Sequence, residues 1–158
     1  MTLPPALEDW FTAQGWALHP HQRAMLDRAG AASTLLIAPT GGGKTLAGFL
    51  PSLAELAGGH AGLHTLYISP LKALAADIRR NLRRPVEGAG LPIRIEDRTG
   101  DTTYTQRRRQ RADPPHILLT TPESLALLLS YEDAPRIFAG LQRVVVDELH
   151  ALAESKRG

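Results

Sequence analysis

"APTGGGKT", residues 38–45, decides the fold. It follows a short apolar run, "STLLIA" at 33–38, and precedes a segment in which Leu46, Phe49, Leu50, Leu53 and Leu56 recur at helical spacing. A strand, a glycine-rich turn closing in Gly43-Lys44-Thr45, and then a helix form the setting of a phosphate-binding loop. Gly41, Gly42 and Gly43 carry no side chains to block an approaching anion. With Thr40 they would turn backbone N–H groups toward phosphate at a helix N-terminus, where aligned peptide dipoles favour negative charge. Lys44 would reach the β- and γ-phosphates of ATP, and the Thr45 hydroxyl would ligate Mg²⁺. Ala38 stands where the general pattern has Gly. Among eighteen basic residues only Lys44, Lys72 and Lys156 are lysines. One of them is in the loop, where a compact ammonium suits a phosphate cradle better than a planar guanidinium.

Outward from the loop, the pattern of strand followed by helix repeats. "HTLYIS" and "HILLTT" read as strands, "LPIRIEDRTG" alternates Ile93 and Ile95 with charge, and "RVVVDE" is the last strand. Between them "LKALAADIRRNL" sets Leu71, Leu74, Ala75, Ile78 and Leu82 on one helical face, "TYTQRRRQRA" reads as helical, and "PESLALLLS" has Pro in a first turn. Continuous apolar strands alternating with helices predict an α/β fold with a mostly parallel sheet covered on both faces. Upstream, "PALEDWFTAQG" and "PHQRAMLDRAG" predict two short helices ending at Gly15 and Gly30.

Composition sets the outer bounds. The 158 residues are 43% hydrophobic and 22% charged, with a net charge of +2 and no cysteine. That describes one globular domain with neither disulfides nor thiolate metal sites. No apolar run reaches the roughly 20 residues of a membrane span. The first residues lack a signal-peptide pattern. A cytoplasmic location is expected.

The second chemical feature is the acidic pair Asp147 and Glu148 after "VVV". ATPases with a phosphate loop need an acid at a neighbouring strand end to hold Mg²⁺ and a residue that activates the attacking water. Asp147 is the expected metal residue and Glu148 the base. Neighbouring side chains on a strand point to opposite faces, so a turn at the strand end is needed for both to serve one site.

"APTGGGKT" with "DELH" resembles the DExH-box helicases of superfamily two. "SPLKALA" at 69–75, "RTGD" at 98–101 and "TTPESL" at 120–125 resemble their nucleic-acid-contacting motifs, in the same order. "PLKALA", "RTGD" and the Lys-Arg-Gly after "DELH" are most similar to the Lhr-like branch and its bacterial ligase-associated DExH-box members. The resemblance implies a RecA-like P-loop NTPase domain over 31–158, incomplete at the C-terminus, preceded by N-terminal helices over 1–30. It implies that Gln22 reads adenine and that His150 couples the ATP side to the strand-binding side. Pro70, Lys72, Gly100, Asp101, Thr121, Pro122 and Glu123 would line a single strand, mostly through phosphate contacts that read no sequence. Trp16 would pack near the base or in the core. Two arginine groups, 79–84 and 107–111, would flank the strand path.

The implied activity is ATP-dependent 3′ to 5′ unwinding of DNA in repair. The implied ligands are Mg²⁺, ATP and single-stranded DNA, with RNA as the alternative. The implied partners are a ligase and a nuclease of a repair system. Such helicases continue into a Ser-Ala-Thr strand and a second RecA-like domain with arginine fingers, which this chain does not contain. The expectation is a nucleotide-binding portion with weak turnover, a gap in its sheet and a tendency to aggregate.

Overall fold

A computed structural model describes residues 1–38 and 43–154, the last three by their backbone alone. Thr40, Gly41 and Gly42, expected in the phosphate cradle, therefore lie outside the described residues. The chain forms two compact units: residues 1–59 with 82–92, and residues 60–81 with 93 onward.

The first unit is helical. α1 (Pro5–Ala13) and α2 (Pro20–Asp27) each begin with a proline in the first turn, where a missing N–H costs nothing. α3 (Lys44–Leu56) packs on α2 and buries Ala47, Phe49, Leu50, Leu53 and Leu56, so the apolar spacing after the glycine loop is a buried helix face as expected. Residues 33–38 depart from expectation. They form no strand, and Leu35 and Ile37 are 73% and 86% exposed. An apolar run becomes a strand only when a neighbour supplies backbone donors and acceptors, and none pairs with this one among the described residues.

The second unit holds the sheet: β1 (Thr65–Ile68), β2 (Ile95–Arg98), β3 (Ile117–Thr120) and β4 (Arg143–Val146). All pair in parallel, in the order β2-β3-β1-β4, so β1 and β3 are central and β4 is an edge. α4 (Lys72–Gly88), which runs from this unit into the first, follows β1. α5 (Tyr104–Ala112) follows β2, and α6 (Pro122–Leu129) and the short α7 (Ala134–Ile137) follow β3. α8 (Leu149–Glu154) follows β4. Leu63, Leu66, Leu118, Leu128 and Ile137 form a buried cluster, supported by Ile68, Leu125 and Phe138. α4 buries Ala75, Ile78, Leu82 and Val86. Leu71, expected on that face, precedes the helix and is exposed. Because the strands are parallel, the segments after β1, β2, β3 and β4 all emerge at one end of the sheet, the carboxyl end where α/β proteins place their ligands.

Candidate functional site

In the first unit the site centres on Gly43. This residue has φ 73° and serves as the N-cap of α3, so Lys44 and Thr45 open the helix. Gln22 Nε2 donates to the Gly43 carbonyl at 3.3 Å, and Gln22 Oε1 accepts from the His19 N–H at 2.9 Å. The side chain thus does local work at both ends: it closes a capping box on α2 and braces the turn into α3. Beside it Phe11, Trp16, Ala17, Leu18, His19, Gln22 and Leu46 line a cavity of about 330 Å³. Trp16 meets Trp10 edge-on, with ring centroids 5.3 Å apart, and also faces this cavity. Packing and lining are therefore both its roles, and Arg84 lies 5.8 Å from its ring.

In the second unit Pro70, Leu71, Lys72, Ala73, Gly100, Thr121, Glu123 and Ser124 line a groove of about 560 Å³. Five of the seven expected strand-contacting residues are in that lining. Asp101 joins them through Lys72, whose Nζ donates to Asp101 Oδ1 at 3.3 Å; both side chains are well exposed, so the pair adds little stability. Pro122 opens α6, and Thr121, its N-cap, accepts from the Ser124 N–H at 3.4 Å. The groove is built from the ends of β1, β2 and β3. Its lining is mostly apolar, with one lysine and one glutamate, and the starts of α4 and α6 lie along its walls, so helix N-termini rather than net charge are what it offers an anion.

The acidic pair closes the β4 end. The Asp147 N–H donates to the Ile68 carbonyl at 3.0 Å, extending the ladder by one residue. Glu148 then takes φ 52°, a left-handed conformation uncommon for a residue with a side chain, and this is the turn that the alternation argument required. The Glu148 N–H donates to Asp147 Oδ1 at 2.8 Å, and Tyr67 Oη donates to Asp147 Oδ2 at 2.8 Å. Burial, and after it the Asp147 charge, hold the Tyr67 hydroxyl protonated far above its usual range. His150 Nε2 lies 3.1 Å from Glu148 Oε2. The donor set fits Mg²⁺, which takes hard oxygen ligands and in nucleotide sites uses one or two carboxylates beside the phosphates. Among the described residues no group of three acids or histidines could hold a metal by itself.

Four of the eight arginines in the two groups are paired with acids. Arg79 pairs with Asp97 at 2.7 Å, Arg80 with Asp77, and Arg109 with Glu96. Arg111 pairs with Asp133 at 3.1 Å and lies 3.7 Å from the Tyr131 ring centroid. Three of these four pairs tie α4, α5 and α7 to the sheet and its loops, and the fourth, Arg80–Asp77, lies within α4. Sequence reasoning also missed Arg98, which is 1% exposed at the end of β2. Its Nη1 donates to the Arg107 carbonyl at 3.1 Å and Gln110 Oε1 at 3.3 Å, while Arg107 Nη2 donates to the Thr99 carbonyl at 2.6 Å. Burial, with Arg107 and Arg111 nearby, lowers the Arg98 pKa from its ordinary value. The segment that begins Thr99-Gly100-Asp101 is thus clamped to α5 from beneath. The RTGD motif contained Arg98, but nothing in the motif separates a buried anchor from a contact residue.

The sheet and its covering helices are those of a RecA-like P-loop NTPase domain. Residues 19–158 match the family model for DEAD/DEAH box helicases, and the chain belongs to that family. It is 45% identical, over 95% of its length, to the Lhr helicase/probable uracil glycosylase of Mycolicibacterium smegmatis, of which it covers 11%. It is 41% identical, over 99% of its length, to the ATP-dependent helicase Lhr-Core of Methanothermobacter thermautotrophicus, of which it covers 20%. Among solved structures, Mycobacterium smegmatis helicase Lhr bound to single-stranded DNA and AMP-PNP superposes with a TM-score of 0.87 at 43% identity, covering 98% of this chain and 21% of that one. The chain therefore spans about a tenth to a fifth of these relatives. No helix among the described residues is long and apolar enough to cross a membrane.

Proposed function

We propose that this chain is the ATP-binding part of an ATP-dependent helicase that moves 3′ to 5′ along single-stranded DNA in repair. The observation that carries the reading is the groove: Pro70, Lys72, Gly100, Thr121 and Glu123, from three separate motifs, share one lining. Lys44 and Thr45 take the phosphates and Mg²⁺, Gln22 with the cavity beside it takes the adenine edge, Asp147 holds the metal, and Glu148 activates water. His150 couples Glu148 to the strand side. A lining of helix starts and one lysine contacts phosphate and sugar rather than base edges, as a translocating enzyme requires. Two points support DNA over RNA. One relative at 45% identity is named as a helicase and probable uracil glycosylase, and a solved relative at 43% identity holds single-stranded DNA. A ligase and a nuclease of a repair system are the partners this reading implies.

Binding of AMP-PNP with Mg²⁺ and of labelled oligo(dT), in competition with oligo(rU), tests the reading. Lys44→Ala is expected to weaken AMP-PNP binding about tenfold or more, and Lys72→Glu to weaken oligo(dT) binding by a similar factor. Glu148→Gln is expected to bind nucleotide normally and to abolish whatever turnover single strands stimulate. Unchanged AMP-PNP binding in Lys44→Ala, or tighter binding of oligo(rU) than oligo(dT), would refute the ATP or the DNA assignment respectively.

A further inference from the structure

One buried side chain on β1 has the length and the chemistry to reach Asp147. Tyr67 stands beside Val145 of β4 in the parallel register, and Asp147 is two residues further along, so all three share one face. Two residues along a strand is a step of about 6.6 Å, which a phenol spans and Val, Ile or Leu does not. The Tyr67 hydroxyl donates to Asp147 Oδ2 at 2.8 Å, while Asp147 Oδ1 accepts the Glu148 N–H at 2.8 Å. Both oxygens of the carboxylate are therefore tethered, one by a core side chain and the other by backbone. The carboxylate cannot turn about its bond to Cβ without breaking one of these contacts.

A fixed carboxylate does not suit all hard cations equally. Ca²⁺ takes about six to eight oxygens in loose geometry and gains from a carboxylate that can swing between one-oxygen and two-oxygen contact, whereas Mg²⁺ demands a near-ideal octahedron. Both ions carry the same charge and accept the same oxygen ligands. What separates them at such a site is ligand number and ligand freedom, and the second of these is what a hydrogen bond to the carboxylate controls.

We infer that Tyr67 is a positioning residue that sets metal preference: by pinning the Asp147 carboxylate it favours Mg²⁺ over Ca²⁺ in the metal–nucleotide complex that the site accepts. The inference rests on the assignment of Asp147 in the proposed function. A phenol that only filled the core would leave the preference untouched on replacement by Phe, because the ring would be kept.

The test is AMP-PNP binding to the full chain, titrated with Mg²⁺ and, separately, with Ca²⁺. The quantity read is the ratio of the two concentrations at half-saturation. In the wild type Mg²⁺ is expected to act at the lower concentration. Tyr67→Phe is expected to raise the Mg²⁺ concentration about tenfold and the Ca²⁺ concentration much less, so that the ratio narrows about fivefold or more. Partial loss of structure would weaken both titrations alike and leave the ratio unchanged, and it would also weaken AMP-PNP binding in EDTA, which is expected to stay as in the wild type. A Tyr67→Phe chain with the wild-type ratio overturns the inference, as does a wild type that does not prefer Mg²⁺. If Asp147→Asn leaves both titrations as they are in the wild type, the Asp147 assignment itself fails and the inference falls with it.

Discussion

Gly43 shows how one residue serves both chain geometry and site. A Cβ there would carry a left-handed backbone, costing roughly 1–2 kcal/mol, and would stand 2.6 Å from Gln22 Nε2. Gly62 has a similar φ of 78° with nothing within 4 Å of its Cβ position. Urea unfolding should therefore show Gly62→Ala losing the backbone term alone. Gly43→Ala should lose more and should also weaken AMP-PNP binding, because Gln22 must retract from the loop. His116 gives a residue-scale prediction for pH. Its Nδ1 accepts the Arg94 N–H at 2.9 Å, an arrangement that requires the neutral ring, and burial lowers its pKa from the ordinary 6.5. With the folded value below the unfolded one, the unfolded chain binds more protons in between. The contribution is thus intact above about pH 6.5 and lost as pH falls through the lower folded value. His116→Asn keeps an acceptor that does not titrate, so the dependence of the urea midpoint on pH between about 7 and 5 should flatten. An unchanged slope would show that other groups govern it.

α5 is the element whose role changed most between sequence and structure. Its arginines read as a basic surface, yet the helix is the clamp beneath the Thr99–Asp101 segment. Thr103 and Gln106 close a capping box at its start, with both bonds at 3.2 Å. Thr103→Ala should cost about 1 kcal/mol. Arg98→Met, which removes one buried and one part-buried hydrogen bond, should cost about 1–3 kcal/mol. Both should weaken oligo(dT) binding and leave AMP-PNP binding in EDTA unchanged; equal loss of the two ligands would mean general unfolding rather than a loosened groove wall. The elements themselves were largely legible. β1 and β3 coincide with continuous apolar runs, because a buried parallel strand writes its burial into consecutive residues, while β2 falls in the segment that alternates with charge and β4 in the "VVV" run although it is only half-buried. α3 and α4 were legible from their spacing. What could not be read was contact across the chain. Tyr67 and Asp147 are 80 positions apart, and Arg98 and Gln110 are joined by burial rather than by periodicity. α7 and α8 are too short to establish a period. The run at 33–38 has strand composition but no strand, because composition supplies only one side of a ladder.

For the whole molecule, the consequential feature is a sheet that is well covered in its centre and poorly covered at one edge. β3 is buried along its whole length, whereas Val144 and Val146 on β4 are 49% and 43% exposed. In the other unit, Leu35 and Ile37 add apolar surface. A parallel edge strand that is open to solvent and rich in β-branched residues is a template for pairing with another copy of itself. The chain is therefore expected to associate with increasing concentration, as sedimentation or light scattering would measure. Val144→Lys places a charge on that edge. As a surface substitution it should change stability by no more than about 0.5 kcal/mol, yet it should lower the associated fraction markedly. Lys44→Ala, which leaves the edge untouched, should not. If both variants associate like the wild type, the exposed valines are not what drives association, and the apolar run at 33–38 becomes the surface to change next, beginning with Ile37→Lys.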